Sequence, residues 1–159
     1  MRIKYIIDED FVNYKKPSMF IAFPTCTFKC EKECGVRCCQ NSELANTHSI
    51  MVSSHSIIKR YLNNPITSAF VFGGLEPFDS FGDLSYLLHL IRNTYNCTDD
   101  IVIYTGYNKN EIMRELDIIG SYKNIIIKFG RFVPNQESSF DEILGVKLMS
   151  ANQYAEKIS

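Results

Sequence analysis

Five of the six cysteines, Cys26, Cys30, Cys34, Cys38 and Cys39, fall within fourteen consecutive residues, and only Cys97 stands apart. Thiols this dense suit either a disulfide knot in an oxidising compartment or soft-ligand metal binding. The opening stretch Met1 to Asp10 has neither the apolar block nor the small-residue cleavage site of a secretory signal, so a cytoplasmic location is expected. A chain of 159 residues is also long enough to fold without covalent staples. Metal ligation is the better reading, with zinc or an iron-sulfur cluster as the occupant. The first two thiols are spaced C-x3-C, Cys38 and Cys39 are adjacent candidates for a third ligand, and Cys34 lies halfway beside Gly35. The four-residue recurrence of Cys26, Cys30, Cys34 and Cys38 leaves a four-thiolate zinc site open. Gly35 and the charged Glu31-Lys32-Glu33 run favour a loop here over a single helix. His48, His55 and His89 have no spacing that suggests ligation.

The elements around this cluster alternate. Met19 to Phe23 is an apolar run that leads straight into the cysteines, and Ser68 to Phe72, Ile101 to Tyr104 and Asn124 to Phe129 are three more buried-strand patterns. Between them, Ser54 to Asn63 reads as a helix with Ser53 or Ser54 as its cap. A second helix, capped by Asp79 or Ser80, carries Leu84, Leu87, Leu88, Ile91 and Tyr95 on one face. Asn110 to Ile119 is a third, ended by Gly120 as a left-handed cap. Strand and helix in strict alternation predict parallel crossovers, and about four such strands give an open, curved α/β sheet in one domain spanning residues 1–159. Ligands of parallel sheets gather beyond the carboxyl ends of the strands. Those ends carry Cys26, Gly73-Gly74-Leu75-Glu76, Thr105-Gly106 and Lys128, which are therefore expected on one edge.

Composition narrows the partners. The chain is 45% hydrophobic and 22% charged, a balance that supports a packed core. Seventeen Lys and Arg against eighteen Asp and Glu give a net charge of −1, which offers no footprint for nucleic acid or anionic lipid. No apolar stretch approaches the ~20 residues of a membrane span.

Cys26-Thr-Phe-Lys-Cys30, closing at Cys39-Gln40-Asn41, resembles the cluster loop of radical S-adenosylmethionine (SAM) proteins, and more narrowly of the anaerobic ribonucleotide reductase activating proteins. Further segments resemble that family in order: Asp10-Phe-Val-Asn13 before the first strand, Gly73-Gly74-Leu75-Glu76-Pro77-Phe78, Tyr104-Thr105-Gly106-Tyr107, Gly130-Arg131-Phe132 and Ser150-Ala-Asn152-Gln153. The family's usual loop is C-x3-C-x2-C. Here it is C-x3-C-x8-C, six residues longer, with Cys38 where an aromatic residue usually precedes the third ligand, and Leu75 is inserted into the GGE triplet.

The resemblance implies an abbreviated open (β/α) partial barrel with mainly parallel strands. It also implies a 4Fe-4S cluster on Cys26, Cys30 and Cys39 that leaves one iron for SAM, with no catalytic residue beyond the cluster and SAM themselves. Glu76 would pair with the SAM ammonium, the Gly73-Gly74 backbone would approach its methionine part, Thr105 would bond the ribose or adenine, and Lys128 would meet the carboxylate. Cys38 would contribute backbone only, Cys34 would be a spectator, and Phe28 would shield the iron. The implied activity is formation of the glycyl radical on the large subunit of an anaerobic (class III) ribonucleotide reductase, with flavodoxin or ferredoxin as electron donor. Another protein or peptide target, or a non-catalytic zinc module, is the alternative.

Overall fold

The computed structural model describes all 159 residues. In chain order its elements are β1 (Arg2–Ile3), β2 (Tyr5–Asp10), β3 (Ser18–Phe23), α1 (Lys29–Cys34), α2 (Ser42–Ala45), β4 (Ile50–Met51), α3 (Ser54–Leu62), β5 (Ala69–Gly74), α4 (Phe81–His89), β6 (Asp100–Tyr104), α5 (Met113–Ile119), β7 (Ile125–Phe129), β8 (Ser139–Asp141), β9 (Val146–Leu148) and β10 (Tyr154–Lys157).

Six strands form one open sheet in the order β10-β7-β6-β5-β3-β2. The central four, β3, β5, β6 and β7, are parallel and neighbour one another in chain order, whereas the two edge strands run antiparallel to them. Each pair of central strands is joined through a helix (α3, α4, α5), and all three helices pack on the same face. That face holds the main core: Phe23, Phe70, Phe72, Ile101, Ile103, Ile125, Ile127 and Phe129 from the strands meet Ile57, Ile58, Leu84, Leu87, Leu88 and Ile91 from the helices. Strand residues buried on both sides account for the continuous apolar runs in the sequence. The opposite face presents Phe20, Ala22, Val71, Val102 and Ile126, covered by Tyr14 and by Leu144 and Leu148 of the β8–β9 region. No helix is long and apolar enough to cross a membrane.

The four parallel strands and three connecting helices lie where the sequence predicts them, within a few residues. Several local expectations need correction. The Glu31-Lys32-Glu33 run is helical and not a loop, because Gly35, at φ +69°, can stop α1 only after one and a half turns. Gly120 is right-handed at φ −63°, so it is not a left-handed cap; a Cβ there would sit 3.0 Å from the Leu116 carbonyl oxygen. Ser53 and Ser80 occupy cap positions, but neither side chain makes a capping bond. The third helix begins at Met113, after a 3-10 turn over Lys109–Glu111. Helix α4 widens into a π-turn over Leu90–Thr94, which carries Ile91 onward into the core.

Candidate metal centre

Strand β3 delivers the chain to the cysteines at the carboxyl end of the parallel strands. The backbone there is tied to the turn after β5: the Glu76 amide donates to the Thr25 carbonyl at 2.8 Å, and the Thr25 and Ser80 hydroxyls bond at 2.8 Å. Asp79 accepts from the Thr27 amide at 2.6 Å and from the Tyr107 hydroxyl at 2.6 Å. Phe28 takes a left-handed conformation at φ 52°, an uncommon state for an aromatic residue. The Phe28 amide donates to Cys26 Sγ at 3.2 Å, and the left-handed turn leads directly into α1, which places Cys30 in its first turn.

Beyond Gly35 the chain doubles back toward α1. The Cys39 amide donates to Glu31 Oε1 at 3.3 Å, and the Asn41 amide donates to Cys39 Sγ at 3.4 Å. The Asn41 side chain closes the excursion by donating to the Gly74 carbonyl at 2.7 Å. Cys39 is the neighbouring charge that, after burial, most raises the Cys30 thiol. Cys34 Sγ and Cys38 Sγ form a separate pair, 2.7 Å apart.

Two of the three expected ligands, Cys26 and Cys39, thus receive backbone N–H donors at sulfur. Hydrogen bonds to cluster sulfurs are among the means by which proteins set cluster potential. Cys26 and Cys30 also line one small cavity with Thr27, Lys29, Glu76, Gly106, Tyr107 and Arg131. Burial pushes the Cys26 thiol up to about 12 and the Cys30 thiol up to about 11. A bound metal reverses that preference, because its positive charge displaces the thiol proton. No three His, Cys, Asp or Glu side chains converge to cage a single ion. Around one zinc, with Zn–S of about 2.3 Å, ligand sulfurs would lie only about 3.8 Å apart. The donor set on Cys26, Cys30 and Cys39 suits an iron-sulfur cluster, which spreads its thiolates over several irons.

The remaining expected residues are all near this edge but differ in what they touch. Glu76 is buried in the cavity wall, where its Oε1 accepts from the Phe78 amide at 3.1 Å and the Thr105 hydroxyl at 2.8 Å, and its Oε2 accepts from the Gly106 amide at 2.8 Å. Burial raises its carboxyl to about 7 against the opposing pull of these three donors. Glu76 and Thr105 therefore lock β5 to β6. Gly74 needs its positive φ of +79°, and a Cβ on it would lie 2.7 Å from Ala22 Cβ. Gly73 is less constrained, with a Cβ position 3.2 Å from the Phe20 ring. Lys128 is buried and donates to the Gly130 carbonyl at 2.8 Å; burial lowers its ammonium to about 8, and Glu76 pulls it back up. Lys128 does not line the cavity that Cys26 and Cys30 share. Phe28 is half-buried beside Cys26.

A charged clamp here went unread in the sequence. Arg131 donates twice to Glu111, at 2.7 and 2.6 Å, and lies under the Tyr107 ring. Its Nε lies 3.3 Å from Glu33 without forming a hydrogen bond, while Lys29 reaches Glu111 at 3.3 Å and sits 4.4 Å over Tyr107. Both ends of α1 are thereby tied to the loops after β6 and β7. Arg131 stands inside the Gly130-Arg131-Phe132 segment, so the signal was present, but its partners Glu111, Lys29 and Glu33 are far apart in the chain.

Neither a curated protein nor a solved structure matches this chain. Residues 18–154, from the start of β3 into β10, match a family described as "4Fe-4S single cluster domain". With the match covering most of its length, the chain belongs to the 4Fe-4S single cluster domain family.

Proposed function

We propose that the protein is a radical SAM enzyme that activates an anaerobic ribonucleotide reductase by forming a glycyl radical on its large subunit. The observation that carries the reading is that Cys26 and Cys39 both accept backbone N–H donors at sulfur and that Asn41 ties the segment after Cys39 to the Gly-Gly turn at the carboxyl end of β5. A 4Fe-4S cluster held by Cys26, Cys30 and Cys39 would supply one low-potential electron, received from a donor such as flavodoxin or ferredoxin, for reductive cleavage of SAM to methionine and a 5′-deoxyadenosyl radical.

The protein's own part is to hold, orient and exclude water. Cys26, Cys30 and Cys39 supply the thiolates. The Gly73-Gly74 segment has no side chains to obstruct the methionine part, and Glu76 retains one acceptor position toward the cavity after its three internal bonds. Asn41, by holding the Gly74 carbonyl, keeps the third ligand in register with that turn. Thr105 acts through Glu76, and Lys128 supplies positive charge behind it. The one-sided helix layer and sequential parallel strands support an open partial-barrel reading. The five clustered cysteines are only half-buried, which suits a protein loop as substrate better than an enclosed small molecule.

Anaerobically reconstituted, reduced protein with SAM should release 5′-deoxyadenosine. Cys39→Ala should abolish this and Cys34→Ala should not. A full complement of iron and sulfide with no SAM cleavage would refute the radical reading while leaving the cluster standing. A glycyl radical signal on the reductase large subunit would separate that substrate from another protein target.

A further inference from the structure

We propose that Cys34 and Cys38 form a thiol–disulfide exchange site, separate from the cluster ligands, built into the segment between the second and third ligands. This inference rests on the ligand reading of Cys26, Cys30 and Cys39. Cys34 is the last residue of α1, and Gly35, at φ +69°, reverses the chain immediately after it. The reversal brings Cys38 back so that its Sγ lies 2.7 Å from Cys34 Sγ. A disulfide needs about 2.05 Å, so closure requires the two sulfurs to move by only about 0.7 Å. Cys34 Sγ is oriented by contacts to the Val36 carbonyl at 3.2 Å and the Glu31 carbonyl at 3.8 Å. Both thiols are only half-buried, and Gly35, Val36 and Arg37 between them are exposed, so a small disulfide reagent can reach them. Cys97, by contrast, is buried.

The exchange balances with a low-molecular-weight disulfide such as oxidised glutathione. One protein sulfur, as thiolate, attacks a glutathione sulfur, releasing one glutathione thiol and leaving a mixed disulfide. The second protein sulfur then displaces the other glutathione thiol. Two protein S–H bonds and one glutathione S–S bond become one protein S–S bond and two glutathione S–H bonds. The protein thiols lose two electrons and the oxidant gains them. The product closes a five-residue ring directly before Cys39. It stiffens the segment that presents the third ligand and removes two thiols that would otherwise compete with it for iron.

The test uses the full chain, reconstituted anaerobically with iron and sulfide and equilibrated in a glutathione redox buffer. Free thiols are blocked with a maleimide, disulfides are mapped by mass spectrometry, and iron and sulfide are measured in parallel. The expected result is a Cys34–Cys38 crosslink as the dominant product, with iron and sulfide retained. Cys34→Ser and Cys38→Ser should lose the crosslink and keep their iron. Gly35→Ala keeps both thiols and meets no atom within 4 Å, but must hold a positive φ. The reduced variant can relieve that strain by opening the turn, whereas the crosslink enforces it, so the crosslinked fraction at equilibrium should fall about fivefold. The proposal is overturned if Cys34 and Cys38 are both alkylated in oxidising buffer, if Cys30–Cys39 is the dominant pair, or if Cys34→Ser loses iron as Cys39→Ala does. A crosslink in wild-type protein that takes up no iron would uphold the pair and instead sink the cluster reading.

Discussion

Replacing Gly74 with alanine tests the junction between the sheet and the metal-binding excursion. The added Cβ would lie 2.7 Å from Ala22 Cβ, 2.8 Å from Ala22 Cα and 3.3 Å from its carbonyl carbon. These neighbours are a strand backbone and its first side-chain carbon, so no rotamer change relieves the contact. Gly74 pairs directly with Phe23 in the parallel β3–β5 ladder, which also stops the strands from separating cheaply. Overpacking of this kind costs about 1–3 kcal/mol. Holding alanine at a left-handed φ adds about 1–2 kcal/mol, for a total of about 2–5 kcal/mol. In urea, with a slope of about 1–3 kcal/mol/M, the unfolding midpoint should fall by at least about 0.7 M. Gly73→Ala is the control, because its new Cβ meets the edge of the Phe20 ring at 3.2 Å, and a ring can turn away. Circular dichroism under reducing conditions gives the midpoints, and iron analysis after reconstitution gives the second readout. Gly74→Ala should bind less iron than Gly73→Ala, since the displaced carbonyl is the one that Asn41 holds. Equal midpoints for Gly74→Ala and wild type, or a larger loss for Gly73→Ala, would refute the steric reasoning.

Asn41→Ala removes one exposed hydrogen bond, worth about 1 kcal/mol, and should lower the urea midpoint less than Gly74→Ala does while speeding iron loss to a chelator about fivefold. Stability should also depend on pH through Glu111, whose carboxyl is held down to about 2 from 4.5, chiefly by its hydrogen bonds from Arg131. A depressed carboxylate stabilises the fold fully above its unfolded value, and this contribution fades as pH falls from 4.5 through about 2. Urea midpoints of the metal-free chain should therefore separate wild type from Glu111→Gln at pH 7 and converge as the solution is acidified; a constant gap would show that the clamp is not electrostatic.

The parallel half of the fold was legible because its strands are buried on both faces: runs such as Phe70-Val71-Phe72 and Ile125-Ile126-Ile127 leave little alternative. The edge strands were not. In β2 the sequence Tyr5-Ile-Ile-Asp-Glu-Asp10 alternates exposed and half-buried positions and carries three acidic residues, and β10 is Tyr154-Ala-Glu-Lys157. Each has a single strand neighbour, so its apolar signal is weak. At the metal centre the thiols and the turn residues announced themselves by type and spacing. What the sequence concealed was pairing: Asp79 looked like a helix cap and is instead a receptor for Thr27 and Tyr107, and Glu31 looked like part of a charged loop and instead accepts from the Cys39 amide. Such assignments depend on which side chains the fold brings face to face, and no periodicity encodes them.

From residue 25 to residue 53 not one side chain is buried, although this stretch contains α1, α2 and every clustered thiol. A region without a hydrophobic interior opens at a free energy far below that of the sheet on which it rests. Amide hydrogen exchange should consequently divide the molecule in two, with slow protons along β3, β5, β6 and β7 in any state and fast ones across the thiol-bearing arch until an inorganic keystone is set in it. The sheet folds on the strength of its own oil; the arch must borrow its rigidity from iron.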